Sequence, residues 1–96
     1  MLLMRLTERE RLAVLQAVAA ADPQAQVWLH GSRVNDDAMG GDIDLLVLSR
    51  RMSLGDKLDV LARLHAVLGE QKIDLLIARD ESRPFVRLAK SQGVRL

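Results

Sequence analysis

Two aspartates one residue apart, Asp42 and Asp44, stand at the head of the apolar run Leu45-Leu46-Val47-Leu48. Side chains alternate along a strand, so in an extended segment both carboxylates leave the same face, roughly 6–7 Å apart along the backbone. Like charges that close, at the mouth of an apolar strand, are costly unless a cation sits between them. Mg²⁺ meets that need, because it is a hard cation commonly held by one or two carboxylates plus substrate phosphates. Taken alone, the pair is equally compatible with two solvated aspartates at the start of a strand. Asp74 shifts the balance. It precedes Leu75-Leu76-Ile77 as Asp44 precedes Leu45-Leu46-Val47, and it lies beside the pair if the two segments are neighbouring strands in register. Three carboxylates can hold two divalent ions, which polarise a phosphoryl group and activate an attacking oxygen. The competing reading of Asp74 is an aspartate at a strand start, paired with Lys72 on the same face. Gly31-Ser32 adds a third feature. Gly admits a phosphate close to the backbone, and the N–H groups of a turn form an anion-binding nest. An ordinary turn at the end of a strand has the same residues.

The elements that must position these groups follow from capping signals and apolar spacing. Thr7 with Glu10 has the spacing of a capping box, and Leu12, Leu15, Val18 and Ala19 recur behind it, so a first helix is predicted over 8–21 and stopped by Asp22-Pro23. A first strand spans Gln26–His30, and the polar stretch 33–41 is a loop. The run from Asp42 to Leu48, apolar after its acidic start, fits a central strand covered on both faces. Ser53 is an N-cap for a second helix over 54–68, with Asp56 in its first turn, a stripe of Leu54, Leu58, Leu61, Leu64, His65 and Leu68, and Gly69 as its stop. Lys72–Ile77 is a third strand, and Ser82 and Pro84 open a last short helix that ends near Gly93. The order predicts a two-layer α/β domain with a small mixed three-stranded sheet and packed helices, in which the second helix can serve as a crossover between parallel strands.

Composition bounds the function. With 96 residues, 49% hydrophobic, 28% charged and no cysteine, the chain is expected to form one domain over 1–96, without disulfides, thiolate zinc or a thiol nucleophile. Apolar runs such as Leu45–Leu48 and Val18–Ala21 fall far short of a membrane span, and Met1–Met4 is too short for a signal-peptide core. A cytoplasmic protein without membrane contact is the expectation. The net charge of +1 is a poor footprint for binding a nucleic-acid polymer, and Trp28 and Phe85 are the whole aromatic content. Charge is uneven, with one Arg against four Asp over 33–44 and five basic against two acidic residues over 79–96. Arg50-Arg51 reads as a solvated turn, and Arg83, Arg87 and Lys90 as a solvated helix face, with docking of an acidic partner as the alternative. His30 reads as a packing residue and His65 as structural.

Together, Leu29-His30-Gly31-Ser32-Arg33, Gly41-Asp42-Ile43-Asp44-Leu45-Leu46-Val47 and Ile73-Asp74-Leu75 resemble the DNA polymerase β-like nucleotidyltransferase superfamily, and more closely its minimal nucleotidyltransferases (MNT proteins). The resemblance runs from Val27 through Ile77, and Gly93-Val94-Arg95-Leu96 is also similar to this group. It implies that Gly31 and Ser32 hold the triphosphate of ATP, that Asp42 and Asp44 bind two Mg²⁺, and that Asp74 completes the metal site and helps to take the proton from the attacking hydroxyl. The sequence departs from the family pattern in three places: nine residues separate Ser32 from Asp42 where ten are commoner, His30 replaces a usual Phe, and Met39 stands where a basic residue often precedes Gly-Gly-Asp. The last leaves Arg33 as the nearer contact for the triphosphate.

What the resemblance implies is Mg-dependent transfer of a nucleoside monophosphate, AMP from ATP, to a hydroxyl. Members of the group are commonly paired with a HEPN protein in two-component toxin–antitoxin modules, where the MNT antitoxin AMPylates the toxin, so a HEPN-type partner protein is the implied acceptor. Two rivals stand beside it. One is a non-catalytic antitoxin on the same fold that acts by binding. The other is a small-molecule, aminoglycoside-type nucleotidyltransferase whose acceptor pocket forms between two subunits of a homo-oligomer.

Overall fold

The structure is a computed structural model and describes residues 6–31, 43–69 and 71–96. Its elements run α1 (Glu8–Ala21), β1 (Gln26–His30), β2 (Ile43–Leu48), α2 (Leu54–Leu68), β3 (Ile73–Ala78), α3 (Pro84–Gln92) and β4 (Val94–Arg95). The predicted capping box forms, and the predicted N-cap Ser53 forms a second one. Thr7 Oγ1 accepts from the Glu10 amide at 3.1 Å while Glu10 Oε1 accepts from the Thr7 amide at 2.9 Å. Ser53 and Asp56 repeat the exchange at the start of α2. Each box satisfies two of the donors that a helix N-terminus otherwise leaves bare.

The sheet has the order β3-β2-β1-β4. β2 and β3 are parallel, joined through α2, and β1 is antiparallel to both β2 and β4. The three-stranded expectation is corrected to four. Two residues, Val94 and Arg95, pair with Leu29 and Trp28, too short a segment to leave a periodic signal. Gly93 makes that pairing feasible, because a Cβ there would lie 2.7 Å from the Ala89 carbonyl oxygen and 2.9 Å from that of Leu29.

Strand alternation sorts the core into two faces. On one, Leu29, Ile43, Leu45, Val47 and Leu75 pack with Val14 and Val18 of α1 and Val60, Leu64 and Leu68 of α2. On the other, Trp28, Leu46 and Ala78 pack with Val86 and Ala89 of α3. Leu45, Leu46 and Val47 are all fully buried, as expected of a central strand, and each such aliphatic side chain contributes about 1.5–3 kcal/mol of transfer free energy. The buried helical faces overlap those read in the sequence at Val18, Leu64 and Leu68 but are otherwise shifted. In α1 they are Val14, Ala17 and Val18, with Leu12 43% exposed; in α2 they are Val60, Leu64 and Leu68, with Leu54 72% and Leu58 58% exposed. His65 is likewise outside the apolar face, and its Nδ1 lies 3.2 Å from the Gly69 carbonyl oxygen at the helix end. Arg50 and Arg51 are exposed, as expected for a solvated turn.

Asp22 does more than stop α1. One carboxylate oxygen accepts from the Gln24 amide at 2.9 Å, and the other accepts from the Ser49 hydroxyl at 2.6 Å. Ser49 Oγ in turn accepts from the amides of Arg51 and Met52. This buried network ties the end of α1 to the end of β2. The Ser49 hydroxyl, first, and the Gln24 amide hold the Asp22 carboxyl below the usual aspartate range. A depressed folded-state pKa stabilises the fold above the unfolded value, near pH 4, and that contribution fades as pH falls toward the folded value. Thermal melts of Asp22→Asn are therefore expected to fall below wild type at neutral pH, and the gap to narrow as pH drops below about 4; a constant gap across pH would contradict the assignment.

Candidate functional site

The parallel register of β2 and β3 aligns Asp44 with Asp74, and the antiparallel register of β1 and β2 aligns His30 with Asp44. In-register neighbours share a face, so His30, Asp44 and Asp74 form a row across three strands spaced about 4.8 Å apart. The next row inward is Trp28, Leu46 and Leu76. The polar row thus lies at the rim of the apolar α3 side of the sheet. Asp74 is exposed and Asp44 half-buried. The condition on which the three-carboxylate reading depended is met for the two aspartates on separate strands. Ser32, Arg33, Met39 and Asp42 lie outside the described residues.

Gly31 follows directly on His30 and has φ +75°, a left-handed conformation that favours glycine. A Cβ at this position would collide with the Asp44 carboxylate. The backbone of the turn is therefore seated against the carboxylate, and two independent constraints demand glycine here. His30 is half-buried, and its ring meets Phe85 edge-on, with centroids 6.2 Å apart and planes at 79°, in keeping with a packing role.

A cleft of about 490 Å³ opens over this row, within the range of small-molecule sites. Besides His30, Asp44 and Asp74, it is lined by Lys57 from α2 and by Arg83 and Phe85 from the start of α3. Lys57 and Phe85 were not singled out by sequence reasoning, and Arg83 was read as part of a solvated face. Only the fold shows that the N-terminal turns of α2 and α3 flank the carboxylates. Arg87 and Lys90 are engaged locally: Arg87 donates to the carbonyls of Glu81 and Ser82, and Lys90 pairs with Glu81 at 2.9 Å.

Among the described residues, no group of three or more ligating side chains is assembled. The donors that are assembled are two carboxylates side by side on a solvent-facing rim, hard oxygen ligands that fit Mg²⁺, which keeps several waters and shares its shell with phosphates.

The family comparison decides the wider identity. Residues 15–96 match the family described as Polymerase beta, Nucleotidyltransferase. The chain belongs to that nucleotidyltransferase family. No curated protein matches. Among solved structures, the nucleotidyltransferase fold of this chain is similar to that in a complex from Shewanella oneidensis, a tri-AMPylated HEPN toxin with an MNT antitoxin, at a TM-score of 0.64 and 20% identity, over 90% of this chain and 70% of that one. No helix among the described residues of this nucleotidyltransferase-family chain is long and apolar enough to cross a membrane.

Gly31→Ala tests the seat of the turn. Strain and overpacking together are expected to cost about 1–3 kcal/mol, read as a lowered denaturation midpoint, and to displace Asp44. An unaltered midpoint would show that the turn and the carboxylate are not in contact.

Proposed function

We propose that this chain transfers AMP from ATP to a hydroxyl on a partner protein of HEPN type, as the antitoxin of a two-component module. The observation that carries the reading is the in-register pairing of Asp44 with Asp74 on one face of a family nucleotidyltransferase fold. The similar complex, an AMPylated HEPN toxin with an MNT antitoxin, supports the choice of acceptor.

In this reading Asp44 and Asp74, joined by Asp42, hold Mg²⁺. An ion bound there would supply charge neutralisation at the phosphates and would ease loss of the proton from the acceptor hydroxyl. Asp74, the more exposed of the two and on the outermost strand, stands where an acceptor arrives and accepts the proton from its hydroxyl. The hydroxyl oxygen forms a bond to the α-phosphorus, the bond between the α- and β-phosphates breaks, and pyrophosphate leaves with the electron pair. Gly31, by bringing backbone against Asp44, admits the triphosphate to the carboxylate without an intervening side chain. Ser32 and Arg33 complete the triphosphate contacts.

Co-expression with a HEPN-type partner followed by intact-mass analysis is the direct test. The partner is expected to gain AMP in wild type. Asp74→Asn is expected to slow transfer by about 10²–10⁴-fold, the range for loss of a general base. Asp44→Asn and metal chelation are expected to abolish it, with Mg²⁺ restoring the chelated enzyme. Neutralisation of the partner that persists in Asp44→Asn without any mass gain would replace transfer by binding as the function.

A further inference from the structure

β3 is an outermost strand, and no other strand among the described residues pairs with its free side. The Ile43 amide donates to the Lys72 carbonyl and the Ser49 amide to the Ala78 carbonyl. Alternation in a parallel ladder then turns the N–H and C=O groups of Ile73, Leu75 and Ile77 outward, away from β2. Bare edges of this length are pairing templates, and proteins usually blunt them with charge or proline on the strand itself. β3 carries neither basic residue nor proline, and its single charge, Asp74, belongs to the site.

This edge forms the floor of a groove. The cleft of about 490 Å³ at Asp74 continues into a second cavity of about 320 Å³ further along the strand, and Lys57, Leu76 and Arg83 line both. One wall is α2, through Leu54 and Lys57; the other is the start of α3, through Arg83. The continuation is lined by apolar Leu54, Leu76 and Ile77 and by three cations, Lys57, Arg79 and Arg83, with no acidic residue. Among the described residues these three make no ion pair. Leu54 is 72% exposed, which the fold of the chain itself does not explain.

We propose that an extended, acidic segment of the acceptor protein adds as a strand to the outer edge of β3, with its apolar side chains against Leu54 and Ile77 and its carboxylates toward Lys57, Arg79 and Arg83. Main-chain hydrogen bonds supply affinity in this mode, and alternate side-chain pockets supply specificity. The strand spans about 17 Å from the carboxylate end outward, so a segment docked in one register presents its hydroxyl at Asp74. The acidic, apolar character of the segment follows from the lining of the groove. Its identity as the acceptor rests on the AMP-transfer reading.

The probe is a short fluorescein-labelled peptide in which Glu alternates with Val around a central Tyr, compared with the same peptide carrying Lys for Glu. Anisotropy gives affinity, and hydrogen exchange gives protection at the amides of Ile73, Leu75 and Ile77. The acidic peptide is expected to bind and to protect those three amides, and Lys57→Glu with Arg83→Glu to weaken it by at least about tenfold while favouring the Lys peptide. Leu54→Asp, at a solvent-exposed position, is expected to weaken it as well. Absence of binding, binding without protection of the edge amides, or equal binding of both peptides overturns the proposal. The Asp44→Asn/Asp74→Asn protein separates the two readings: it is expected to keep peptide binding whether or not the wild type transfers AMP, so a docking failure and a transfer failure are read independently.

Discussion

The parallel register between β2 and β3 is the constraint from which the arrangement of the site follows. β2 is apolar on both faces and buried on both, with Leu45 and Val47 against α1 and α2 and Leu46 against α3. A slip of one residue along β3 would send Leu75 to the α3 face and Asp74 into the core beside α2, because the side-chain period of a strand is two. The aliphatic packing that selects the register therefore also selects which carboxylates meet. Their mutual repulsion is tolerable at the strand ends, where Asp74 is exposed, and would be far more costly one row deeper, among Trp28, Leu46 and Leu76.

Gly31 shows how tightly the turn is coupled to that register. Its positive φ favours glycine, and its missing Cβ leaves room for the Asp44 carboxylate. The opposite end of β2 is treated differently. There Asp22 and Ser49 form a buried network whose lone pairs are filled by backbone amides and a hydroxyl. One carboxylate is thus sequestered in structure, while Asp44 and Asp74 face a cleft. The same residue type is buried in a hydrogen-bond network at one end of the sheet and lines a cleft at the other.

The two strands that flank β2 contrast in a similar way. β1 is covered by β4, held close by a glycine that admits the carbonyls of Ala89 and Leu29. β3 has no such cover among the described residues, and the helix ends beside it bring cations and exposed leucine rather than a strand. An open edge next to a pair of carboxylates places backbone recognition and chemistry in one groove.

The bounds of the helices and, to within a residue, of β1, β2 and β3, the Thr7 capping box, the Ser53 N-cap and the alignment of Asp44 with Asp74 were legible in the residue order, because each depends on local spacing: Thr7 to Glu10, Ser53 ahead of the α2 stripe, and matching apolar runs behind two aspartates. The faces were legible only in part. Val18, Leu64 and Leu68 are buried as their spacing implied, but a helix rich in leucine and valine offers more than one apolar stripe, and only packing against the sheet selected Val60 over Leu54 and Leu58. The same holds for Val14 over Leu12, for the outward turn of His65, and for β4, whose two residues pair only because α3 returns the chain to β1. Local composition determined which segments became helix or strand and which acidic groups could share a face. Tertiary packing decided which stripe was buried, and so brought Lys57, Arg83 and Phe85, distant in the chain from Asp44, to the walls of the same cleft.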